Sequence, residues 1–172
     1  YHHPSLSGDG KTLYYASDEE GSLGSYDIYK VEIGADGSYG SPINLGQTIN
    51  TSEREQFPYI SDEGHLYFAS NGHLGLGLLD IFVAPFENGS FQEPINLGAP
   101  INSRYDDIAL SYENAVSGFF SSNRDGDNDD IFAFTQIGDL FSREYANFFK
   151  IEDSLSRKAV PNAKVTLRDG DG

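Results

Sequence analysis

The sequence predicts an all-β protein, a partial β-propeller of about three four-stranded antiparallel blades with the last one incomplete. Three observations predict it. The block Pro-Ile-Asn-Leu-Gly stands at residues 42–46 and returns intact at 94–98, 52 residues later. The triplet Asp-Ile-aromatic occurs as Asp27-Ile28-Tyr29, Asp80-Ile81-Phe82 and Asp130-Ile131-Phe132, at spacings of 53 and 50 residues. The segment Pro-Ser-Leu-Ser-Gly-Asp-Gly-Lys-Thr-Leu-Tyr-Tyr-Ala-Ser-Asp at 4–18 answers to residues 58–71 and, more loosely, to 109–123. A period near 50 residues is too long for helical-pair repeats and matches one propeller blade.

Each element of the unit follows from local pattern. In the second repeat, residues 57–61 form a short strand, Asp62-Glu63-Gly64 a turn, and 65–70 a strand with Leu66, Phe68 and Ser70 on one face. A Gly-rich loop follows, then a third strand at 80–86, a hairpin turn at Asn88-Gly89 and a fourth strand at 90–96. The first repeat has the same plan, with Asp9-Gly10 and Asp36-Gly37 as its turns. Tyr14, Tyr15, Tyr67, Phe68, Phe119 and Phe120 are expected to form the core between blades, since aromatic residues favour pleated, half-buried surfaces.

Composition narrows the function. With Lys plus Arg at 11 against Asp plus Glu at 27, the net charge is −16 and the pI near 4.3. That excludes a basic stripe for nucleic acid or for anionic lipid and predicts an acidic, solvated surface. No run reaches the roughly 18 apolar residues of a membrane span, so direct membrane insertion is not expected. Cysteine is absent, which removes disulfide and thiol chemistry. The start, Tyr1-His2-His3-Pro4, has no initiator Met and no signal-peptide pattern, and is expected to be internal to a longer protein.

The order Pro, Ser, Asp-Gly-Lys, an aromatic strand closing in Ser-Asp or Ser-Asn, then Asp-Ile-Tyr resembles the WD-repeat-like β-propeller repeat of the TolB type. More narrowly, Pro-Ile-Asn-Leu-Gly followed by Ile49-Asn50 or Ile101-Asn102, with Ser121-Ser122-Asn123-Arg124 closing the last unit, resembles the propeller of OmpA-family envelope proteins of the Bacteroidetes. The propeller reading covers residues 1–137, and 138–149 reads as a linker. Residues 150–172, with Pro161-Asn162 before an alternating Ala163-Lys164-Val165-Thr166-Leu167, resemble the opening strands of a carboxypeptidase-regulatory-like β-sandwich. The resemblance implies a periplasmic, outer-membrane-associated location, envelope-protein partners, and peptidoglycan contact only through a domain this chain lacks. Some relatives belong to type IX secretion and gliding machinery. Three blades do not close a ring, so further blades are expected upstream. The third repeat also lacks a Pro-Ile-Asn-Leu-Gly strand after Phe134, and the strand completing it is expected to be missing from this chain.

Candidate sites are few. Asp125, Asp127 and Asp129 carry carboxylates at alternate positions, as a Ca²⁺ loop does, but the sixth residue is Asp130 where an EF-hand has Gly, and the twelfth is Gln136 where it has Glu. Asp130 is also the repeat's own Asp and is expected to cap loop amides. His73, Leu74, Leu76, Leu78 and Leu79 mark a partner face on the rim, formed by the loops at 19–26, 72–79 and 124–129 with the connectors at 47–56 and 99–107. His65 replaces Lys11 of the first repeat and reads as a solvated strand residue. No Gly-x-Ser-x-Gly elbow or zinc spacing occurs, and no cofactor is expected. The reading is a non-catalytic protein-binding scaffold. The alternatives are a Ca²⁺-dependent carbohydrate-binding module and an accessory propeller of a hydrolase.

Overall fold

In a computed structural model of the chain, residues 1–126, 128–138, 140–141, 156 and 158 are described. The chain divides into two units, Tyr1–Ile137 and Gly138–Gly172. Most of the expected linker at 138–149 and of the sandwich start at 150–172 lies outside the described residues, as does Asp127.

Among the described residues all regular structure is β. The first sheet runs β1 (His2–Leu6), β2 (Thr12–Ser17), β3 (Asp27–Glu32) and β4 (Ile43–Asn44) in sequence order, all antiparallel. The second contains β5 (Glu55–Ile60), β6 (Leu66–Ser70), β7 (Asp80–Ala84) and β10 (Ile95–Asn96) in the same arrangement. Between β7 and β10 a separate ribbon pairs β8 (Phe86–Glu87) with β9 (Ser90–Phe91). The third sheet has three strands, β11 (Asp107–Tyr112), β12 (Ser117–Ser122) and β13 (Asp130–Thr135).

The two-residue side-chain period of a strand fixes how the sheets stack. Tyr14, Ala16 and Ile28 lie on one face of the first sheet and form a core with Leu66, Phe68, Phe82 and Ala84 of the second. Their strand neighbours Tyr15, Tyr29 and Val31 cluster on the opposite face of the first sheet. β6 and β7 are buried along their whole length. Both their faces are therefore covered, as a middle layer requires, and β11 packs against β5, β6 and β7.

The repeats also share an irregularity. β1, β5 and β11 each lose register with their neighbour, between His2 and Ser5, Gln56 and Tyr59, and Ile108 and Ser111. At each site one non-glycine residue takes the left-handed conformation: His3 and Phe57 at φ 52° and Ala109 at φ 55°. In β1 and β5 the next residue is proline, which has no N–H for the ladder and is tolerated where a bulge has already broken it.

Three expectations need correction. The third and fourth strands of the second repeat are shorter than 80–86 and 90–96. Pro85 has no N–H and ends the ladder of β7, Pro94 separates β9 from β10, and Asn88 and Gly89, at φ 52° and 84°, turn the extra ribbon. Phe119 is not core. It is exposed, because it lies on the face of the third sheet that no described element covers. His65 is half-buried instead of solvated, and its Nδ1 accepts the Phe86 N–H at 3.1 Å.

The connector leading to the second sheet is tied to the first by buried Asn50, which serves Ile28 N–H, Ile28 C=O and Asn44. Asn50→Ala leaves the buried Ile28 N–H unpaired, while Ile28 C=O keeps Leu45 N–H and Asn44 Oδ1 keeps Gly46 N–H, and is expected to destabilise the protein by about 1–3 kcal/mol. Urea unfolding measures the loss, and a change below about 0.5 kcal/mol contradicts the assignment.

Candidate docking rim

The rim is built from carboxylate caps and asparagine brackets. Asp27, buried at the start of β3, accepts the N–H groups of Leu23 at 2.7 Å and Gly24 at 3.0 Å, which closes the preceding loop onto the strand. Asn44 Nδ2 donates to the same carboxylate at 2.7 Å, and its Oδ1 accepts from Gly46 N–H at 2.8 Å and Asn50 Nδ2 at 2.9 Å. Asn50 then brackets Ile28, accepting its N–H at 2.7 Å and donating to its C=O at 3.0 Å. The second repeat reproduces the design: Asp80 accepts Leu76 and Gly77 N–H, Asn96 turns onto Gly98, and Asn102 brackets Ile81 at 2.8 Å on both sides. One bond is not reproduced. Asp80 Oδ1 and Asn96 Nδ2 are buried without a hydrogen-bond partner.

These caps press the loops against the connectors. Ser25 N–H donates to Glu53 C=O at 2.7 Å, and Glu55 N–H to Tyr26 C=O at 2.8 Å. The second repeat makes the equivalent bonds, Leu78 N–H to Tyr105 C=O and Asp107 N–H to Leu79 C=O. At the crossing points only glycine fits: a Cβ on Gly24 would collide with the backbone of Ser52 and Glu53, and one on Gly77 with that of Ser103 and Arg104.

Behind the rim lie two more buried carboxylates. Glu55 accepts Thr51 N–H and Oγ1, each at 2.8 Å, and Ser70 Oγ at 2.7 Å. Burial pushes its carboxyl above the ordinary range, with the Thr51 and Ser70 hydrogen bonds and His73 pulling the other way. Asp107 stands in the same place one repeat later and accepts Ser103 N–H and Oγ, but here Arg124 also pairs with it. Arg124 lies over Phe120 and Phe132, at 5.1 and 5.0 Å, and donates to the carbonyls of Pro100 and Ile101.

His73 fills the corresponding niche one repeat earlier. Its ring lies 5.8 Å from Phe68 and 5.3 Å from Phe82, and Nε2 donates to the Ile49 carbonyl at 2.8 Å. His73 thus plugs the end of the core instead of standing on the rim. Leu74, Leu76 and Leu78 are 95%, 55% and 61% exposed and Leu79 is half-buried. The backbone carrying them is pinned by Ser70 Oγ, which accepts Gly72 and His73 N–H, and by Asp80.

The acidic loop differs from the other two. Asp125 and Asp129 are exposed, and Asp127 is outside the described residues. Among the described residues no group of three His, Asp or Glu side chains is placed to hold a metal. Asp130 does not follow the expected capping role closely: it is exposed, whereas Asp27 and Asp80 are fully buried. Its repeat has no described asparagine strand to bury it.

Sequence reasoning missed a cleft of about 290 Å³ where the three bulges meet, lined by residues that include His3, Pro4, Phe57, Pro58, Ala109 and Leu110. His3 stacks on Phe57 with ring centroids 3.8 Å apart. Burial, and next the neighbouring His2, lowers the His3 pKa. The dipeptides His3-Pro4 and Phe57-Pro58 were the available signal, since a proline after a bulky residue at one phase of a repeat marks a broken ladder.

No family model matches the chain, and no curated protein matches it. A solved structure, a puromycin-hydrolysing peptidase from Mycobacterium tuberculosis, is similar over 79% of this chain at 19% identity with a TM-score of 0.49. The match covers 22% of the peptidase, so the chain spans about a fifth of that protein's length.

Because the folded-state pKa of Glu55 is raised, its contribution to stability is fully present below the unfolded value of 4.5 and is lost as pH rises through the higher folded value. Glu55→Gln removes this titration. The stability of wild type relative to E55Q is therefore expected to be greater at pH 4.5 than at pH 8, as measured by paired urea titrations. A difference that stays flat or grows toward pH 8 contradicts the burial argument.

Proposed function

We propose that the three sheets are blades of a β-propeller and that the chain is a non-catalytic, protein-binding scaffold of the cell envelope. The observation that carries this reading is the leucine loop: three exposed leucines within five residues, on a backbone held by buried acceptors and crossed by the next connector. Apolar side chains on a mobile loop pay an ordering cost when they bind, and here that cost is already met in the free protein. A small apolar cluster with a polar surround is the anatomy of a protein-docking hot spot. Ser103, Arg104 and Tyr105 of the neighbouring connector supply that surround. The two imidazoles in the second repeat, His65 and His73, are both engaged by backbone groups, which supports a binding role over a hydrolytic one.

The envelope assignment rests on the repeat motifs and their resemblance to OmpA-family propellers. The periplasmic side of the outer membrane is the proposed location, with envelope proteins as partners. Attachment to peptidoglycan would belong to another domain of the longer protein, and a place in type IX secretion or gliding machinery is the narrowest form of this reading.

The test replaces Leu74, Leu76 and Leu78 together with Asp. Since all three are exposed, the melting temperature is expected to move by no more than about 2 °C. Crosslinking in an envelope fraction, followed by mass spectrometry, is expected to lose the wild-type partner set by at least about tenfold. An unchanged partner set with the triple variant removes the rim from the docking surface.

A further inference from the structure

The strand ends opposite the rim hold a second cleft, of about 540 Å³, between the first and second repeats. It is bordered by the turn between β1 and β2 and the turn between β5 and β6. These turns approach so closely that a Cβ on Gly8 would stand 2.9 Å from Asp62 Oδ1, so the glycine leaves that carboxylate its room over the neighbouring backbone. Asp9 borders the same cleft, and its Oδ1 accepts Ser7 Oγ at 2.7 Å and Lys11 N–H at 3.1 Å, which fixes the carboxylate on its turn. Asp62 makes no hydrogen bond or ion pair among the described residues. Two carboxylates therefore border one cleft in a chain of net charge −16. Lys11, the cation beside them, stands 3.9 Å from Asp9 with both side chains exposed, and an exposed pair at that distance contributes little.

Carboxylates alone do not define a site, and the second observation is a buried hydroxyl. Tyr14 is 8% exposed and lines the cleft, yet its phenol makes no hydrogen bond among the described residues. Burial, and next the Asp9 carboxylate, raise its pKa, so the hydroxyl keeps its proton and lies within the field of the acidic turn. A buried hydroxyl without a partner costs free energy that a ligand group recovers. The remaining wall is aromatic. Phe86 N–H donates to His65 Nδ1 at 3.1 Å and the Phe86 ring meets Phe91 edge to face at 5.2 Å, which holds Phe86 at the cleft while it stays 43% exposed.

We propose that this cleft binds the guanidinium of an arginine side chain on a partner protein. The planar cation donates to the Asp62 carboxylate with two parallel N–H groups and to the Tyr14 hydroxyl with a third, and its flat face lies on the Phe86 ring. Asp9 adds a second negative charge at the same opening. The ammonium of lysine matches one carboxylate but has no planar fork and no face for the ring. A divalent metal asks for roughly six to eight converging oxygens, whereas these acceptors come from separate turns around an aromatic wall. The cleft lies at the other end of the strands from the leucine loop and uses none of its residues, so it stands or falls independently of the proposed function.

The test titrates the whole chain with acetyl-arginine N-methylamide, which has the uncharged ends of an arginine within a polypeptide, and follows amide NMR shifts. Saturable shifts at 8–14, 61–64 and 86 are expected, with a Kd at or below about 1 mM. The citrulline analogue, of the same shape without the charge, and the lysine analogue are each expected to bind at least about fivefold more weakly. Asp62→Asn, at an exposed position, and Tyr14→Phe, which keeps the ring, are each expected to weaken the arginine probe about fivefold or more, with melting curves confirming that both fold. n-Propylguanidine, the same cation without a peptide backbone, is expected to bind more weakly than the arginine probe. The proposal is overturned by absence of saturation up to about 10 mM probe, by equal affinity of the citrulline or lysine analogue, by tighter binding of n-propylguanidine, or by undiminished affinity of either folded variant.

Discussion

The arrangement depends on one interaction, the bracketing of an isoleucine backbone by a buried asparagine carboxamide. A side-chain amide has the donor and acceptor of a peptide group, so Asn50 and Asn102 act as an extra rung of ladder beside β3 and β7. This solves a specific problem. β4 and β10 are two residues long and cannot satisfy the outer edge of a buried strand. The carbonyls of Ile28 and Ile81 also accept Leu45 and Leu97 N–H, but an unpaired N–H at either buried isoleucine would cost about 1–3 kcal/mol. The asparagine supplies the missing partner from the connector, so the segment leading to the next sheet is fixed by the sheet it leaves.

The same logic explains how the rim is held in place although it consists of loops. Loops are usually mobile because few of their backbone groups are satisfied internally. Here the loop amides of Leu23, Gly24, Leu76 and Gly77 end on buried aspartates, and the loops touch the connectors through glycines that leave no room for a side chain. His73 and Arg124 do related work from different chemistry. Each closes the aromatic end of one sheet, over Phe68 and Phe82 or over Phe120 and Phe132, while donating to the carbonyl of the isoleucine before the bracketing asparagine.

Much of the layout was legible because it is periodic. Period-2 alternation placed Leu66 and Phe68 on one face, and recurrence of Asp-Ile-aromatic put β3, β7 and β13 in phase. What was not legible depends on neighbours that no local pattern specifies. Phe119 and Phe120 are adjacent aromatics in one strand, and only the stacking order decides that Phe120 is buried and Phe119 exposed. His73 sits in a Gly-rich loop and reads as a surface residue. Its inward turn becomes readable only when it is aligned with Arg124 by the niche both occupy, which differs from their alignment by sequence position. Asp130 matches Asp27 and Asp80 by sequence, yet a cap is buried only when the strand beyond it is in place.

The acidity of the chain also has an internal component that composition alone cannot reveal. Asp27, Glu55, Asp80 and Asp107 are all fully buried, and the first three accept from amides and hydroxyls without a bonded cation among the described residues. A buried carboxylate that gathers several N–H donors is stabilised by oriented dipoles fixed by the fold, at distances far below a Debye length. Such caps are insensitive to salt in a way that surface ion pairs are not. Glu55 and Asp107 show the two solutions at one position of the repeat. The longer glutamate reaches Ser70 and remains partly under-compensated, while the shorter aspartate recruits Arg124. The repeat therefore conserves the function of a loop anchor while its charge balance changes from one copy to the next.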